Sequence, residues 1–221
     1  MIEILFQNEN FVVCHKPAGV LSVPSRDRHD PRPCLGIDLQ HQLRTQVLPV
    51  HRLDLEVSGL ILFALSAKSH KIAQGWFEKK TISKMYRAST SLQNFSHWPL
   101  DIKTDRSVLE ISSGKEFYWK TRIQRGKRRS FESDHGEWAE TRARVMEIDA
   151  YKIGWQMFPL TGKPHQLRLE LSRRGFPIQG DTLYGSKEKN PWGTGIALQA
   201  ISLDLSYVSD RLGLPEKISL K

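Results

Sequence analysis

The sequence contains only two cysteines, Cys14 and Cys34, among its 221 residues. Two cysteines cannot build a disulfide framework, and their spacing fits no zinc-binding motif. Their scarcity favours a reducing compartment. A chain of this length also buries enough of its surface to fold without cross-links. We therefore expect a protein that needs neither disulfides nor a structural metal.

Long apolar runs are absent as well. The longest, residues 59–65, is much shorter than the roughly 20 residues that a membrane-spanning helix needs. Residues 1–8 show no basic region followed by an apolar one, so no signal peptide is predicted. We expect a cytoplasmic protein that makes no contact with a membrane and is a monomer.

Acidic residues are fewer than basic ones. The chain has 24 Asp and Glu against 33 Lys and Arg, which gives a formal net charge of +9. Such an excess favours a polyanionic partner such as a nucleic acid, although many basic proteins are merely soluble. The excess is densest at residues 114–129, where basic residues follow an aromatic cluster at 117–119. This segment fits either a surface that contacts RNA or a solvated hairpin whose aromatic residues cover the core.

The hydrophobic pattern predicts an α+β protein in which strands dominate. Predicted strands cover residues 2–6, 11–15, 20–23, 59–65, 82–92, 141–148, 155–160 and 196–205, and predicted helices cover 35–47, 67–80 and 165–174. No internal repeat and no low-complexity linker separates independent domains. The pattern therefore indicates one unit of catalytic size.

Polar residues concentrate against apolar runs in three segments, 51–64, 161–168 and 175–185. Asp54 lies just before a predicted strand, where its carboxylate could enter a cleft or could cap a turn. Two histidines and Asp54 would make a metal site, but nothing in their spacing demands one. Arg168 could contact phosphate, pair with a buried carboxylate or lie on a helix surface. The glycine-rich loop 175–185 is interpreted as structural.

Five short motifs occur along the chain: the entry turn with Lys16-Pro17-Ala18-Gly19, the segment His51-Arg52-Leu53-Asp54-x-x-x-Ser58-Gly59-Leu60, the strand Lys84-Met85-Tyr86-Arg87-Ala88, and the later motifs Gly162-x-x-His165-Gln166-Leu167-Arg168 and Pro177-Ile178-x-Gly180-Asp181-x-x-Tyr184-Gly185. They resemble those of the RluA-type family of RNA pseudouridine synthases. Five motifs in the same order make a specific match. The resemblance implies the pseudouridine synthase fold, a mixed, mainly antiparallel bent sheet with flanking helices and a central catalytic cleft.

The resemblance also implies a role for individual residues. Asp54 would be the catalytic carboxylate, Arg168 its charge partner, and Tyr86 a catalytic residue that stacks on the base or moves a proton. Arg52 would fill the gap left by a flipped base. Further RNA-binding residues are implied, namely His51, Leu53, His165, Gln166 and Leu167. The chemistry needs no cofactor and no metal.

The sequence departs from the family pattern at several positions. Leu55, Val57, Lys163-Pro164 and Gln199 replace the residues that the family usually has there. None of these changes removes the three implied catalytic residues, so we expect activity to survive. We expect a single catalytic domain over residues 1–221 without an auxiliary N-terminal RNA-binding domain. Two alternatives stay open, a noncatalytic RNA-binding or RNA-folding module and a metal-dependent hydrolase that uses His51, Asp54 and His165.

Overall fold

A computed structural model describes residues 1–27, 29–96, 106–209 and 212–220. Eleven strands and three helices occur in these ranges: β1 Ile4–Gln7, β2 Phe11–Lys16, α1 Leu35–Leu43, β3 Leu48–Pro49, β4 Ser58–Ala64, α2 Ala67–Glu78, β5 Ser83–Ser91, β6 Glu116–Arg125, β7 Ser130–Glu132, β8 Glu137–Ile148, β9 Lys152–Pro159, α3 Gln166–Ser172, β10 Leu198–Asp204 and β11 Lys217–Ser219. A short 3-10 helix covers Thr182–Tyr184. The predicted α+β class with a mixed, mainly antiparallel sheet is confirmed.

The chain divides into two compact units. Unit 1 comprises Met1–Lys84 and Gln199–Lys221, and unit 2 comprises Met85–Leu198. The prediction of a single catalytic domain over residues 1–221 stays a prediction. Among the described residues, no helix has the length and apolar character needed to cross a membrane.

In unit 1, β4 is the central strand. It pairs antiparallel with β2 and β3 and parallel with β10. Alternate side chains of β2 and β4 enter two separate clusters. Val12 and Ile61 pack with residues of α1, whereas Val13 and Leu62 pack with residues of α2. Because β4 is buried on both faces, its sequence is a continuous apolar run rather than an alternating one.

The two helices of unit 1 begin and end for local reasons. Ser66 caps the first turn of α2, since its Oγ accepts a hydrogen bond of 3.1 Å from the Ser69 amide. Helix α1 ends at Leu43 because Arg44 adopts the left-handed conformation with φ of 54°. The prediction of a helix up to Val47 was therefore too long, although Val47 still packs against the cluster beside α1.

Unit 2 is an antiparallel sheet in the order β5-β9-β8-β6-β7. Buried and exposed side chains alternate along β6, as a strand with one buried face requires. Helix α3 packs on the buried face, where its Leu169 meets Ile123 of β6 and Ala139 of β8. A buried aromatic cluster around Trp155 extends the core of this face.

Residues 20–23 and 114–129 differ in how well they match their predicted structures. Residues 20–23 do not form the predicted strand, because Leu21 makes only an isolated bridge with Cys34. Residues 114–129 mostly form β6 and the turn toward β7. In β6 Trp119 faces the core while Lys120 and Arg122 are exposed. The hairpin interpretation is thus confirmed for the backbone, and the hairpin exposes cations such as Lys120 and Arg122.

Candidate active site

Asp54 lies in the connection between β3 and β4, and backbone contacts hold this connection in place. The neighbouring Leu53 is buried, and its amide donates to Ser22 Oγ at 3.0 Å. The Ser22 hydroxyl in turn donates to the Leu53 carbonyl at 2.8 Å. The Val57 amide donates to the Asp54 carbonyl at 3.2 Å and closes a turn. The half-buried Asp54 side chain therefore starts from a fixed backbone.

Lys16, at the end of β2, also holds the β3–β4 connection in place. Its side chain is fully buried, and Nζ donates to the carbonyls of Pro17, Val20 and Leu55 at 3.0, 2.8 and 3.3 Å. Burial lowers the pKa of Lys16 to about 8, and the negative charge of Asp54 opposes this shift. The ammonium group thus supplies both hydrogen bonds and positive charge to the loop that carries Asp54.

His51 supports the loop from its other end. Its Nε2 accepts a hydrogen bond of 3.0 Å from the Leu62 amide of β4, and its ring stacks on Phe77 at 5.0 Å. Burial, with the nearby charge of Lys84, lowers the pKa of His51 to about 3. A neutral imidazole that accepts a backbone hydrogen bond positions the chain, so we assign His51 to the support of the loop.

Arg52 differs from its neighbours because its side chain is exposed. Within the described ranges the guanidinium makes no hydrogen bond or ion pair. Directly beside it, Leu53 is buried and Asp54 is half-buried. An exposed cation, a buried leucine and a half-buried carboxylate thus follow one another and give this part of unit 1 a polar edge.

In unit 2, Arg168 is buried and paired with a carboxylate. Its Nε donates to Asp181 Oδ2 at 2.7 Å and its Nη2 donates to Asp181 Oδ1 at 2.8 Å. Both side chains are almost fully buried, and the guanidinium lies 5.3 Å from the centroid of the Tyr184 ring. The interpretation of Arg168 as a surface arginine is wrong. A bidentate pair of this kind fixes the direction of the guanidinium.

His165 and Tyr184 form a second network beside α3. The Tyr184 hydroxyl donates to the Ser130 carbonyl at 2.9 Å and accepts from the Ser130 amide at 2.9 Å. His165 Nδ1 lies 3.2 Å from this hydroxyl, and its Nε2 lies 3.1 Å from Arg125 Nη1. Because arginine can only donate, Nε2 is the acceptor and Nδ1 carries the proton. His165 is thus held as one neutral tautomer.

The remaining predicted residues of unit 2 are buried. Gln166 donates from Nε2 to the Glu140 carbonyl and to Thr141 Oγ1, both at 2.9 Å, and its Oε1 accepts from the Lys163 amide at 3.0 Å. Its amide group is occupied within the chain, so we assign it a positioning role. Leu167 is buried next to Arg168. Tyr86, on β5 opposite Met157 of β9, is also buried.

Sequence reasoning did not give a role to two residues that shape these sites. Lys16 was identified only as part of a turn motif, yet it binds three carbonyl groups of unit 1. Asp181 fell in a loop that was interpreted as structural, yet it orients Arg168. One sequence signal could have indicated a structural role for Lys16, namely its position as a charged residue at the end of an apolar strand. No sequence signal linked Asp181 to Arg168, because the pairing depends on the packing of the loop against α3.

Unit 1 supplies the carboxylate of Asp54, and unit 2 supplies the buried guanidinium of Arg168 and the phenol of Tyr86. Within residues 1–27, 29–96, 106–209 and 212–220, no three His, Cys, Asp or Glu side chains lie close enough to hold a metal ion. His51 Nε2 is moreover occupied by a backbone amide. These groups suit nucleophilic and acid–base chemistry on an organic substrate.

Comparison with known proteins identifies the family. The family described as RNA pseudouridylate synthase matches residues 10–173. The chain is 27% identical over 212 residues to the dual-specificity RNA pseudouridine synthase RluA of Vibrio vulnificus, across 93% of this chain and 78% of that protein. It is 30% identical over 195 residues to the tRNA pseudouridine synthase C of Haemophilus influenzae, across 86% of this chain and 78% of that protein.

A solved structure shows the same fold. The human RNA pseudouridylate synthase domain containing 1 matches with a TM-score of 0.69 and 22% sequence identity, and the match covers 100% of this chain and 82% of that one. The pseudouridine synthase fold that the motifs imply is thus confirmed. With a family match that spans most of the sequence, the chain belongs to the RNA pseudouridylate synthases, in their RluA-type branch, and is an isomerase.

Proposed function

We propose that the protein converts specific uridines of structured ribosomal or transfer RNA to pseudouridine, with Asp54 as the nucleophile. The observation that carries this proposal is the rigid presentation of a half-buried carboxylate in the family motif. Ser22 fixes the residue before Asp54, and Lys16 fixes the residue after it. A nucleophile that is held in place loses little conformational entropy on the way to the transition state.

The reaction balances without a cofactor. The N1–C1′ bond of uridine breaks, the uracil turns, and a C5–C1′ bond forms in its place. The hydrogen on C5 leaves as a proton, and N1 gains a proton. Asp54 assists by bonding transiently to the substrate, either at the uracil ring or at the anomeric carbon, and is regenerated at the end.

Arg168 and Tyr86 would complete the catalytic set. We assign to Arg168 the stabilisation of negative charge on Asp54, because a buried guanidinium keeps its charge and Asp181 fixes its orientation. We assign to Tyr86 either stacking on the uracil or the transfer of a proton, since a phenol can do both. Asp181 acts through Arg168 and is a positioning residue.

Arg52 would fill the space that the flipped uridine leaves in the RNA. A uridine inside a helix or loop must leave its stack before a carboxylate can reach it. The exposed guanidinium of Arg52 is two residues from Asp54 in the sequence and has no partner among the described residues. Its planar group can stack between the bases that the flipped uridine leaves behind.

Pseudouridine mapping tests the proposal. The wild type and the Asp54→Asn variant are incubated with transfer RNA and ribosomal RNA that lack pseudouridine, and the products are mapped by pseudouridine-specific chemical modification. We expect new pseudouridines with the wild type and none with Asp54→Asn. Asp38→Asn removes the same charge at an exposed position of α1 and should retain activity.

Two outcomes would contradict the proposal. Equal activity of Asp54→Asn would remove Asp54 from the chemistry. Binding of RNA without any pseudouridine formation by the wild type would favour the noncatalytic RNA-binding alternative.

A further inference from the structure

One surface of unit 2 is not used by the proposed chemistry. Side chains that alternate with the buried ones along β6, β8, β9 and β5 point away from α3. The strand register places Arg122 opposite Trp138, Tyr118 opposite Arg142, and Arg142 opposite Phe158. We call this surface the outer face and define it by its cations Arg87, Lys120, Arg122, Arg142 and Arg144.

The cations of the outer face rest on aromatic rings. Lys120 Nζ lies 5.0 Å and Arg122 Cζ lies 4.8 Å from the centroid of Trp138. Arg142 Cζ lies 5.5 Å from the Phe158 centroid, and Arg87 Cζ lies 4.8 Å from that of Trp192. An aromatic ring holds a cation in place without neutralising its charge, which an acidic partner would do.

Carboxylates cover only part of this surface. Glu140 pairs with Lys120 at 3.2 Å, and Glu116 approaches Arg144 at 3.9 Å. In the described ranges, Arg87, Arg122 and Arg142 have no carboxylate within ion-pair distance. The outer face therefore keeps an excess of positive charge.

The same face exposes aromatic area. Trp138 is 48% exposed and Tyr118 is 58% exposed. Strands lie about 4.8 Å apart, so the four strands from β6 to β5 spread the cations over about 14 Å. Positioned guanidinium groups beside exposed rings are the combination that binds phosphates and stacks on bases. An acidic protein could form ion pairs with the cations, but its carboxylates would not stack on the exposed rings.

We propose that the outer face binds a segment of the substrate RNA other than the target uridine, through phosphates on Arg122 and Arg142 and base stacking on the exposed aromatic rings. This inference rests on the proposed function for the identity of the RNA. It gives a function to the basic segment 114–129, and it extends the substrate contact to a surface on which Arg87 is the one cation that belongs to a motif.

A charge-neutralising pair of substitutions tests the proposal. The variant Arg122→Gln/Arg142→Gln removes two cations from exposed positions, and the variant Lys68→Gln/Lys71→Gln removes two exposed cations of α2 as a matched control. The affinity of the full chain for bulk transfer RNA, and separately for ribosomal RNA fragments, is measured by fluorescence anisotropy at several salt concentrations.

We expect the Arg122→Gln/Arg142→Gln variant to bind roughly tenfold more weakly. The slope of log affinity against log salt should fall by about 2, because each lost phosphate contact lowers it by about 1. The variant Arg122→Lys/Arg142→Lys keeps both charges and should restore most of the affinity, which also shows that a loss does not come from unfolding.

The proposal is overturned if the double Gln variant binds with wild-type affinity and slope, or if the control variant loses as much affinity. The test is independent of the catalytic assignment, because binding is measured without conversion. Failure of Asp54 as nucleophile would appear as pseudouridine formation by Asp54→Asn, with the salt slope unchanged.

Discussion

At the scale of single residues, the loop that carries Asp54 depends on neighbouring groups to which we assign no chemical step. Ser22 and Lys16 bind the backbone on either side of Asp54. A buried lysine is costly unless its charge is compensated, and here three carbonyl groups and two acidic neighbours provide compensation. The position of the carboxylate thus follows from polar groups buried beneath it.

His51 makes the stability of the protein depend on pH. Its pKa is lowered from 6.5 to about 3 in the folded chain. Between these values the unfolded chain binds a proton on this ring and the folded chain does not, so the free energy of unfolding falls as the pH falls. We expect a loss of about 2 kcal/mol from this ring between pH 7 and pH 5.

Urea unfolding of the wild type and of His51→Gln at pH 7 and pH 5 measures this contribution. The glutamine side chain can still accept a hydrogen bond from the Leu62 amide, but it does not titrate. The other histidines contribute equally to the pH dependence of both proteins. The variant should lose less stability on acidification than the wild type. An identical pH dependence in both proteins would show that His51 is protonated in the folded chain.

Gly59 permits the close approach of β4 and β10. Its φ is +118°, and a Cβ atom on this residue would lie 2.2 Å from the Ala200 carbonyl oxygen. We expect Gly59→Ala to destabilise the protein by about 3 kcal/mol or more, because backbone must move.

Thermal unfolding followed by circular dichroism measures the effect, with Gly75→Ala as the control. Gly75 lies inside α2, and a Cβ there would meet nothing within 4 Å. This control should be stabilised by about 0.5–1 kcal/mol. A Gly59→Ala variant as stable as the wild type would contradict the close approach.

At the scale of secondary-structure elements, α3 holds Arg168 inside a fully buried segment. Its residues Gln166 to Ser172 are all buried, and its arginine is directed by a loop that lies outside the helix. The predicted helix at 165–174 was right in place and nearly right in length. Its burial was missed, because a seven-residue helix with Arg, Glu and Gln shows no long apolar stripe.

The pair Arg168–Asp181 allows support and catalysis to be separated. Asp181→Ala leaves a buried guanidinium without its carboxylate and should cost about 3–5 kcal/mol of stability. Arg168→Met/Asp181→Leu removes both charges and should recover most of this stability, while pseudouridine formation stays absent.

Urea unfolding and a pseudouridine assay on each variant check these outcomes. Glu110→Gln removes the carboxylate of the exposed Glu110–Lys115 pair and should change neither quantity. Activity in the double variant would show that Arg168 has only a structural role.

At the scale of the whole molecule, the sequence predicted the elements with one-sided or continuous hydrophobic patterns. The strands around 11–15 and 59–65 and the helix near 67–80 were predicted well, because burial imposes a local pattern. The strand at 20–23 was wrong, since a short apolar run does not reveal whether a pairing partner is available. The motifs were found by resemblance and include Lys16 and Asp181, but the roles of these two residues depend on contacts with residues distant in sequence.

The charge of the molecule is also clearer at this scale. The net charge of +9 is not spread evenly, since the outer face of unit 2 keeps three arginines on aromatic rings without carboxylate partners in the described ranges. Sequence spacing could not show this, because the rings that hold Arg87 and Arg142 come from other parts of the chain.

The most direct test of the account is the release of tritium from RNA that carries uridine labelled at C5. Formation of the C5–C1′ bond expels this hydrogen, so the release counts isomerisation events. We predict release by the wild type, at least 1000-fold slower release by Asp54→Asn in line with the loss of a catalytic nucleophile, and nearly wild-type release by Asp38→Asn. Equal rates for the wild type and Asp54→Asn would contradict the central claim that Asp54 performs the chemistry.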